Sequence, residues 1–184
     1  MDGGEWKDTG SSRIKRTAAE PGDSVLQGAA PGEPDEATAA VLAGMKPLRF
    51  MLGWWKGEGH GPQGKITTEG LWKSRLGGTV FEMDSSSKRG DSKTKERGFL
   101  TWDPEQKKFL IAAFIPGGQV MVVNGTINEA ADEVTIPISL GPRLVWKLDP
   151  AKQRLQWSVD ALQADGETWK TVEKGIDTLT EKGE

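Results

Sequence analysis

Glu58 and His60 are the two residues whose types and spacing could best support acid–base chemistry. They stand two positions apart in Gly57-Glu58-Gly59-His60, and because strand side chains alternate, a strand through this stretch would place both on one face. A carboxylate beside an imidazole can transfer a proton near neutral pH. Since Gly61-Pro62-Gln63-Gly64 follows directly, an exposed loop position is the competing expectation for His60. Both residues are candidate polar anchors, and no residue is assigned as catalytic.

Four serines raise the question of nucleophilic catalysis: Ser85, Ser86, Ser87 and Ser92. A serine nucleophile needs a neighbouring base and an oxyanion hole, and the sequence contains no G-x-S-x-G turn that would present one. Because the segment from Asp84 to Lys95 has the composition of turns, we predict that these serines lie in a hairpin loop.

Glu96 and Arg97 form a charged pair at the start of a predicted strand. In a regular strand one of the two must point inward. A charge inside a barrel is costly unless it is paired. The inward residue is therefore expected to be a ligand anchor or half of an ion pair, unless the pair lies at the rim.

Composition excludes several classes of site. The chain has no cysteine and one histidine, so no metal site is expected. Residues 1–40 hold four Lys or Arg against eight Asp or Glu, which leaves 20 against 19 in the remainder. Nucleic acid and an anionic membrane are therefore not expected as partners. No signal peptide or spanning segment is apparent, and a cytoplasmic location is expected.

Aromatic residues are the remaining candidates for a binding site, because most predicted strands carry one. With the two charged residues above, the predicted lining of a lumen is Trp55, Trp72, Phe81, Glu96, Arg97, Trp102, Phe114 and Trp157. Filling of the core is the alternative use of these side chains.

The stretch Gly53-Trp54-Trp55-Lys56-Gly57-Glu58-Gly59 marks the point where the pattern changes from helix to strand. Glycines inside a strand mark bends or close approaches of other atoms, and a neighbouring Trp can fill the space. We predict that Gly53, Trp55, Gly57 and Gly59 close the barrel against a preceding helix. A role for Trp55 in the floor of a ligand site is the alternative.

The elements that must position these residues fall into three parts. Residues 1–40 form a predicted disordered acidic tail rich in Gly, Pro and Ala, and residues 41–182 form one barrel domain. Val41, Met45, Leu48 and Leu52 recur at helical spacing, and Pro47 suits the first turn of a second short helix. Ten strands are then predicted at roughly 54–60, 65–75, 79–86, 93–102, 107–115, 118–127, 133–140, 143–149, 153–162 and 167–180.

Short connections with turn residues join these segments, for example Asp103-Pro104, Pro116-Gly117-Gly118 and Asp165-Gly166. Short links favour antiparallel neighbours, and closure of the sheet removes its exposed edges. The predicted fold class is all-β: an up-and-down antiparallel barrel of about ten strands, capped at one end by a short N-terminal helix. Ten strands enclose more space than side chains just fill, so a cavity is expected.

At this point the sequence resembles a known group, the nitrobindin-like branch of the calycin barrels, which include lipocalins. Within that branch it is most similar to a bacterial family of unknown function. The resemblance covers about residues 45–182 and rests on the G-x-W-x-G-x-G stretch, on Leu76-Gly77-Gly78-Thr79-Val80-Phe81, and on Gly98-Phe99-Leu100-Thr101-Trp102-Asp103-Pro104.

The resemblance implies the fold and raises the question of haem. Haem-bearing members use a histidine on the last strands as the iron ligand, and they bind nitric oxide or isomerise peroxynitrite. The corresponding stretch here, residues 172–180, contains no His, Cys or Tyr. No cofactor is therefore expected.

Three functions remain open at this stage. The first is a non-enzymatic binder of a small apolar or amphipathic molecule in the lumen. The second is an isomerase or hydrolase that uses an acid–base pair drawn from Glu58, His60, Glu96 and Arg97. The third is a haem-free interaction module in which residues 1–40 recruit a partner. Oligomeric state is left open.

Overall fold

Ten antiparallel strands close into a barrel in the computed structural model, which describes residues 33–138 and 141–180. This architecture confirms the predicted fold class, and each predicted strand segment overlaps one observed strand. The strands are β1 (Gly53–Gly61), β2 (Gly64–Arg75), β3 (Val80–Arg89), β4 (Ser92–Asp103), β5 (Lys108–Ile115), β6 (Gln119–Ile127), β7 (Glu133–Pro137), β8 (Arg143–Asp149), β9 (Arg154–Leu162) and β10 (Trp169–Thr180).

Every strand pairs with its neighbours in sequence, and β1 pairs with β10 to close the barrel. The closing register runs from Trp54 opposite Thr180 to His60 opposite Lys174. The β6–β7 seam is short, because β7 ends at Pro137, which has no N–H to donate to a ladder. The meander topology predicted from the short connections is therefore confirmed.

Two consecutive helical pieces precede the barrel, as predicted. The α-helix α1 (Glu36–Met45) is capped by Asp35, whose Oδ1 accepts a hydrogen bond of 2.7 Å from the Thr38 N–H. A 3₁₀ helix, Lys46–Met51, follows with Pro47 in its first turn. Residues 36–40, which were assigned to the tail, are thus helical. Residues 1–32 of the predicted tail lie outside the described residues.

The helical pieces seal one end of the barrel, which we call the base. Met45, Leu48 and Met51 are fully buried there. Gly44 lies directly against the indole of Trp102 on β4, so close that a Cβ atom would overlap the ring. The hydrophobic core therefore occupies the helix-covered end, and space in the lumen is left toward the opposite end, the mouth.

The prediction that Ser85, Ser86, Ser87 and Ser92 lie in a hairpin loop is wrong. The first three belong to β3, and Ser92 begins β4. The connection consists of Gly90 and Asp91 alone, since Arg89 pairs with Ser92. A run of polar residues suggested a loop, but these strand ends border the mouth of the barrel, where polar side chains remain in contact with water.

Candidate functional site

A largely apolar cavity of about 320 Å³ occupies the lumen. Four tryptophans on four strands contribute to its wall, each at most 8% exposed: Trp55, Trp72, Trp146 and Trp157. The Trp72 and Trp146 rings meet edge to face with centroids 5.9 Å apart. Trp55 is fixed to the base, since its Nε1–H donates to the Met51 carbonyl at 2.6 Å. The tryptophans therefore form walls without filling the lumen.

Asp177 on β10 places a carboxyl group in this wall. Its Oδ1 accepts a hydrogen bond of 2.5 Å from the Thr68 hydroxyl on β2 and one of 3.1 Å from the Trp157 Nε1–H on β9. Desolvation by burial raises the pKa of Asp177 above its ordinary value of 3.8, while these two hydrogen bonds act in the opposite direction. The two hydrogen bonds thus offset only part of the cost of burying the ionised Asp177 carboxylate.

The glycines of β1 provide the space for this arrangement. A Cβ atom on Gly57 would overlap Asp177 Oδ1 and lie 2.7 Å from the Asp177 Cα. A Cβ atom on Gly59 would lie 2.8 Å from the Trp157 ring, and one on Gly175 would overlap the same ring. The side chains of Asp177 and Trp157 therefore occupy the space that the glycines of β1 and β10 leave free.

Charged and polar side chains gather toward the mouth. Arg89 lines the cavity, donates from Nη1 to the Ser87 hydroxyl at 2.8 Å and forms an ion pair of 3.2 Å with Glu173. Glu96 lines the cavity nearby. The lumen thus changes from apolar near the base to polar near the mouth, which suits an amphipathic ligand.

The structure divides the eight residues predicted to line a lumen. Trp55, Trp72, Glu96 and Trp157 line the cavity. Phe81 is buried in the core, and Trp102 packs on Phe109 with ring centroids 4.9 Å apart. Arg97 and Phe114 lie on the outer surface, where Arg97 donates to Asp84 at 2.7 Å and Phe114 meets Phe99 edge to face.

The predicted acid–base candidates do not converge. Glu58 is exposed on the outer face of β1 and forms an ion pair of 2.6 Å with Lys65. His60 is also exposed, and it lies within β1 rather than in a loop. Of the four candidates, Glu96 faces the cavity, while Glu58, His60 and Arg97 do not. The geometry therefore gives no support to an enzyme built from this set.

Asp177, Arg89 and Met83 line the cavity and were not among the sequence-based candidates. The signal for Asp177 was its position in the series Gly175, Asp177, Leu179, where a charged residue occupies an otherwise apolar phase of the strand. This signal can be used only if it is known which alternate residues of β10 face the lumen. A register shift between Thr171 and Glu173 reverses the phase partway along β10.

The lining can be tested against haem, the cofactor that the resemblance raised. The chain has no Cys or Tyr, and its one His is exposed, so no imidazole, thiolate or phenolate reaches the lumen. Two thioethers do, those of Met83 and Met121, and thioether sulfur is an established axial ligand of haem iron. The wall is apolar, as the faces of a macrocycle require, and among the lining residues the methionine thioethers are the side chains that belong to the usual ligands of haem iron.

Two further observations bear on classification. Within residues 33–138 and 141–180, no helix has the length and apolar character needed to cross a membrane. Over the same ranges, no three His, Cys, Asp or Glu side chains come together in a group that could hold a metal ion.

Comparison with known proteins gives one structural match to report and no significant match among curated proteins. The structural match is the crystal structure of a protein of unknown function of the DUF3598 family from Nostoc punctiforme. It is 8% identical, has a TM-score of 0.23 and covers 74% of this chain and 98% of that chain. At that TM-score the match supports no statement about function.

Residues 44–171 match the model of a family described as "THAP4-like, heme-binding beta-barrel domain". This match overturns the expectation that the chain has no cofactor, because the family is a haem-binding one. That expectation considered His, Cys and Tyr in one stretch, the last strands, and left out methionines elsewhere in the lumen. The chain belongs to the family of THAP4-like, heme-binding β-barrel domains.

Proposed function

We propose that this protein binds a small apolar or amphipathic molecule in the lumen of its barrel. The observation that carries the proposal is the cavity of about 320 Å³, walled by four tryptophans and closed at its base by the helices. Pockets for small molecules have volumes of about 300–1,000 Å³, apolar walls and a few polar groups that fix orientation. The lumen meets each of these criteria.

The arrangement of the wall supports a ligand with an apolar body that packs against the tryptophans. Trp55, Trp72, Leu155 and Ile136 line the cavity, and each is at most 8% exposed. Burial of apolar surface is worth about 25 cal/mol per Å², so the tryptophan walls would supply most of the binding free energy. Polar groups at the mouth would remain hydrated.

Haem is the first ligand to test, because the family is named for it. In this chain the tryptophan walls would contact the group, and the thioethers of Met83 and Met121 would be the side chains available to hold its iron. Bound haem would supply an iron centre whose reactivity depends on its axial ligand and on the polarity of the surrounding pocket.

Native mass spectrometry of gently purified protein, with an absorbance scan across the haem region, tests the proposal directly. We expect the protein either to carry a co-purified small molecule, seen as additional mass, or to take up an added ligand. Uptake is measured by the quenching of tryptophan fluorescence, with haemin and decanol as probes. If haemin binds through a thioether, Met83→Leu or Met121→Leu will shift the absorbance band.

Two alanines on β5 provide a matched pair of variants. Ala113 lines the cavity and is 8% exposed, whereas its neighbour Ala112 does not line the cavity. Ala113→Phe should fill the lumen and abolish uptake of both probes, and Ala112→Phe should leave uptake unchanged. Equal uptake by the two variants would place binding outside the lumen and contradict the proposal.

A further inference from the structure

We propose that the ligand of the lumen carries a cationic nitrogen, such as a protonated amine, and that Asp177 is its anchor. This inference rests on the proposed function, since it names the ligand class for the same cavity. Its basis is the position and bonding of a carboxyl group that nothing in the sequence signalled strongly.

The first observation is that one carboxylate oxygen of Asp177 accepts hydrogen bonds from the described residues and the other accepts none. The hydrogen bonds from Thr68 and from Trp157 both end on Oδ1. Together they fix the carboxyl group across β2, β9 and β10. Oδ2 accepts no hydrogen bond from the described residues, and the residue lines the cavity. The group is therefore held in place with a free acceptor, as an anchor requires.

The second observation concerns charge. No Lys or Arg forms an ion pair with Asp177 in the described residues. Two acidic residues in the inward phases of their strands line the cavity, Glu96 and Asp177, against a single guanidinium among the lining residues, that of Arg89. Arg89 is already paired with Glu173 at 3.2 Å. The lumen therefore carries an excess of negative charge that attracts a cation and repels an anion.

The third observation is the cost of keeping this carboxylate unpaired. Burial raises the pKa of Asp177, and no neighbouring cation opposes that effect. A buried charge without a partner is unfavourable, and an incoming ammonium group would supply the missing partner through a charge-assisted hydrogen bond. The cost of ionising Asp177 without a partner therefore favours a cationic ligand over a neutral one.

The surroundings of the carboxyl group also suit a cation. The indole nitrogen of Trp157 lies 3.1 Å from Asp177 Oδ1, so an aromatic ring adjoins the anchor directly. Trp55, Trp72 and Trp146 line the same cavity. Aromatic rings stabilise desolvated organic cations through their quadrupoles, and aromatic cages are an established way to bind ammonium groups.

Three probes with one apolar body and different head groups test the inference: decylamine, decanol and decanoate at pH 7, measured by tryptophan fluorescence and calorimetry. We expect decylamine to bind on the order of tenfold more tightly than decanol, and decanoate to bind most weakly, as one charge-assisted hydrogen bond predicts. Asp177→Asn should remove the preference for decylamine, so that decylamine and decanol bind the variant with similar affinity. Glu58→Gln, on the outer face, is the control.

The possible results distinguish a failure of the cationic anchor at Asp177 from a failure of the small-molecule function on which it rests. If none of the three probes nor haemin binds, the small-molecule function itself fails. If decanol or decanoate binds as well as decylamine, the lumen takes apolar ligands and the cationic anchor is refuted. Should Asp177→Asn fail to fold, the ranking of the three probes on the natural protein decides the question alone.

Discussion

Substitution of Gly57 by Ala tests the arrangement of β1 and β10 most sharply. The added Cβ would overlap Asp177 Oδ1 and the carbonyl oxygen of Ile176, and it would lie 2.7 Å from the Asp177 Cα. Two of these three atoms belong to the backbone of β10, so rotation of a side chain cannot relieve the contact. The pairing of the strands that close the barrel must shift.

The magnitude follows from two opposing effects. Overpacking of this kind costs about 1–3 kcal/mol, and the rigid backbone contacts favour the upper end of that range. Replacement of Gly by Ala also reduces the entropy of the unfolded chain, which returns about 0.4–1 kcal/mol. A net loss of about 2 kcal/mol corresponds to a fall in Tm of roughly 4–8 °C for a chain of this size.

Gly98→Ala is the matched control, because Gly98 also lines the cavity from a strand. Its Cβ would meet Ala112 O and Met83 Cε at 3.4 Å, which is ordinary contact. We expect this variant to gain about 0.4–1 kcal/mol of stability. Thermal and urea unfolding of both variants provide the measurement. If Gly57→Ala and Gly98→Ala change Tm equally, the close approach of β10 to Gly57 is not what requires glycine there.

Three further perturbations separate the roles of individual contacts. Because burial raises the pKa of Asp177, its ionisation destabilises the folded chain: that penalty is absent below about pH 3.8 and develops as pH rises through the folded-state pKa. Asp177→Asn should therefore gain stability relative to the natural protein between pH 4 and pH 7 in urea titrations, and a constant difference would contradict the assignment. Gly44→Ala should lower Tm despite the usual gain of about 1 kcal/mol in a helix, because its Cβ would overlap the Trp102 ring; in a Trp102→Leu background, Gly44→Ala should no longer lower Tm relative to Trp102→Leu alone. Lys65→Ala should change the free energy of unfolding by less than about 1 kcal/mol, since its ion pair with Glu58 is exposed, and a larger loss would show that the outer face contributes more than an exposed pair can.

The strands and turns were predictable because their signals are local. Asp165 illustrates this: its side chain accepts hydrogen bonds from the backbone N–H groups of Glu167 and Thr168, and this bonding forms the turn between β9 and β10. A residue type that makes its own turn can be recognised without knowledge of the rest of the fold. The same reasoning located the capping helices, since Pro47 begins the second piece.

Ser85, Ser86 and Ser87 show where local reasoning fails. Polar composition is common to loops and to strands at the mouth of a barrel, so composition alone cannot separate the two. The pairing of β3 with β2 and β4 determines the outcome. Arg97 and Phe114 failed for a related reason, because assignment of residues to the lumen depends on the inward phase of each strand, and that phase is fixed by pairing.

Gly57 and Asp177 show why the anchor itself was hidden. The glycine was recognised in β1 as a place where other atoms come close, but the sequence does not say which atoms. Those atoms belong to β10, at the far end of the chain, and the two strands meet only when the barrel closes. An Asp at position 177 carries only a weak local signal of burial, the apolar character of Gly175 and Leu179 beside it, because a charged residue in a strand is more often exposed. Gly57 on β1 thus leaves the space that the Asp177 carboxyl group on β10 occupies, and the two residues meet only when the barrel closes.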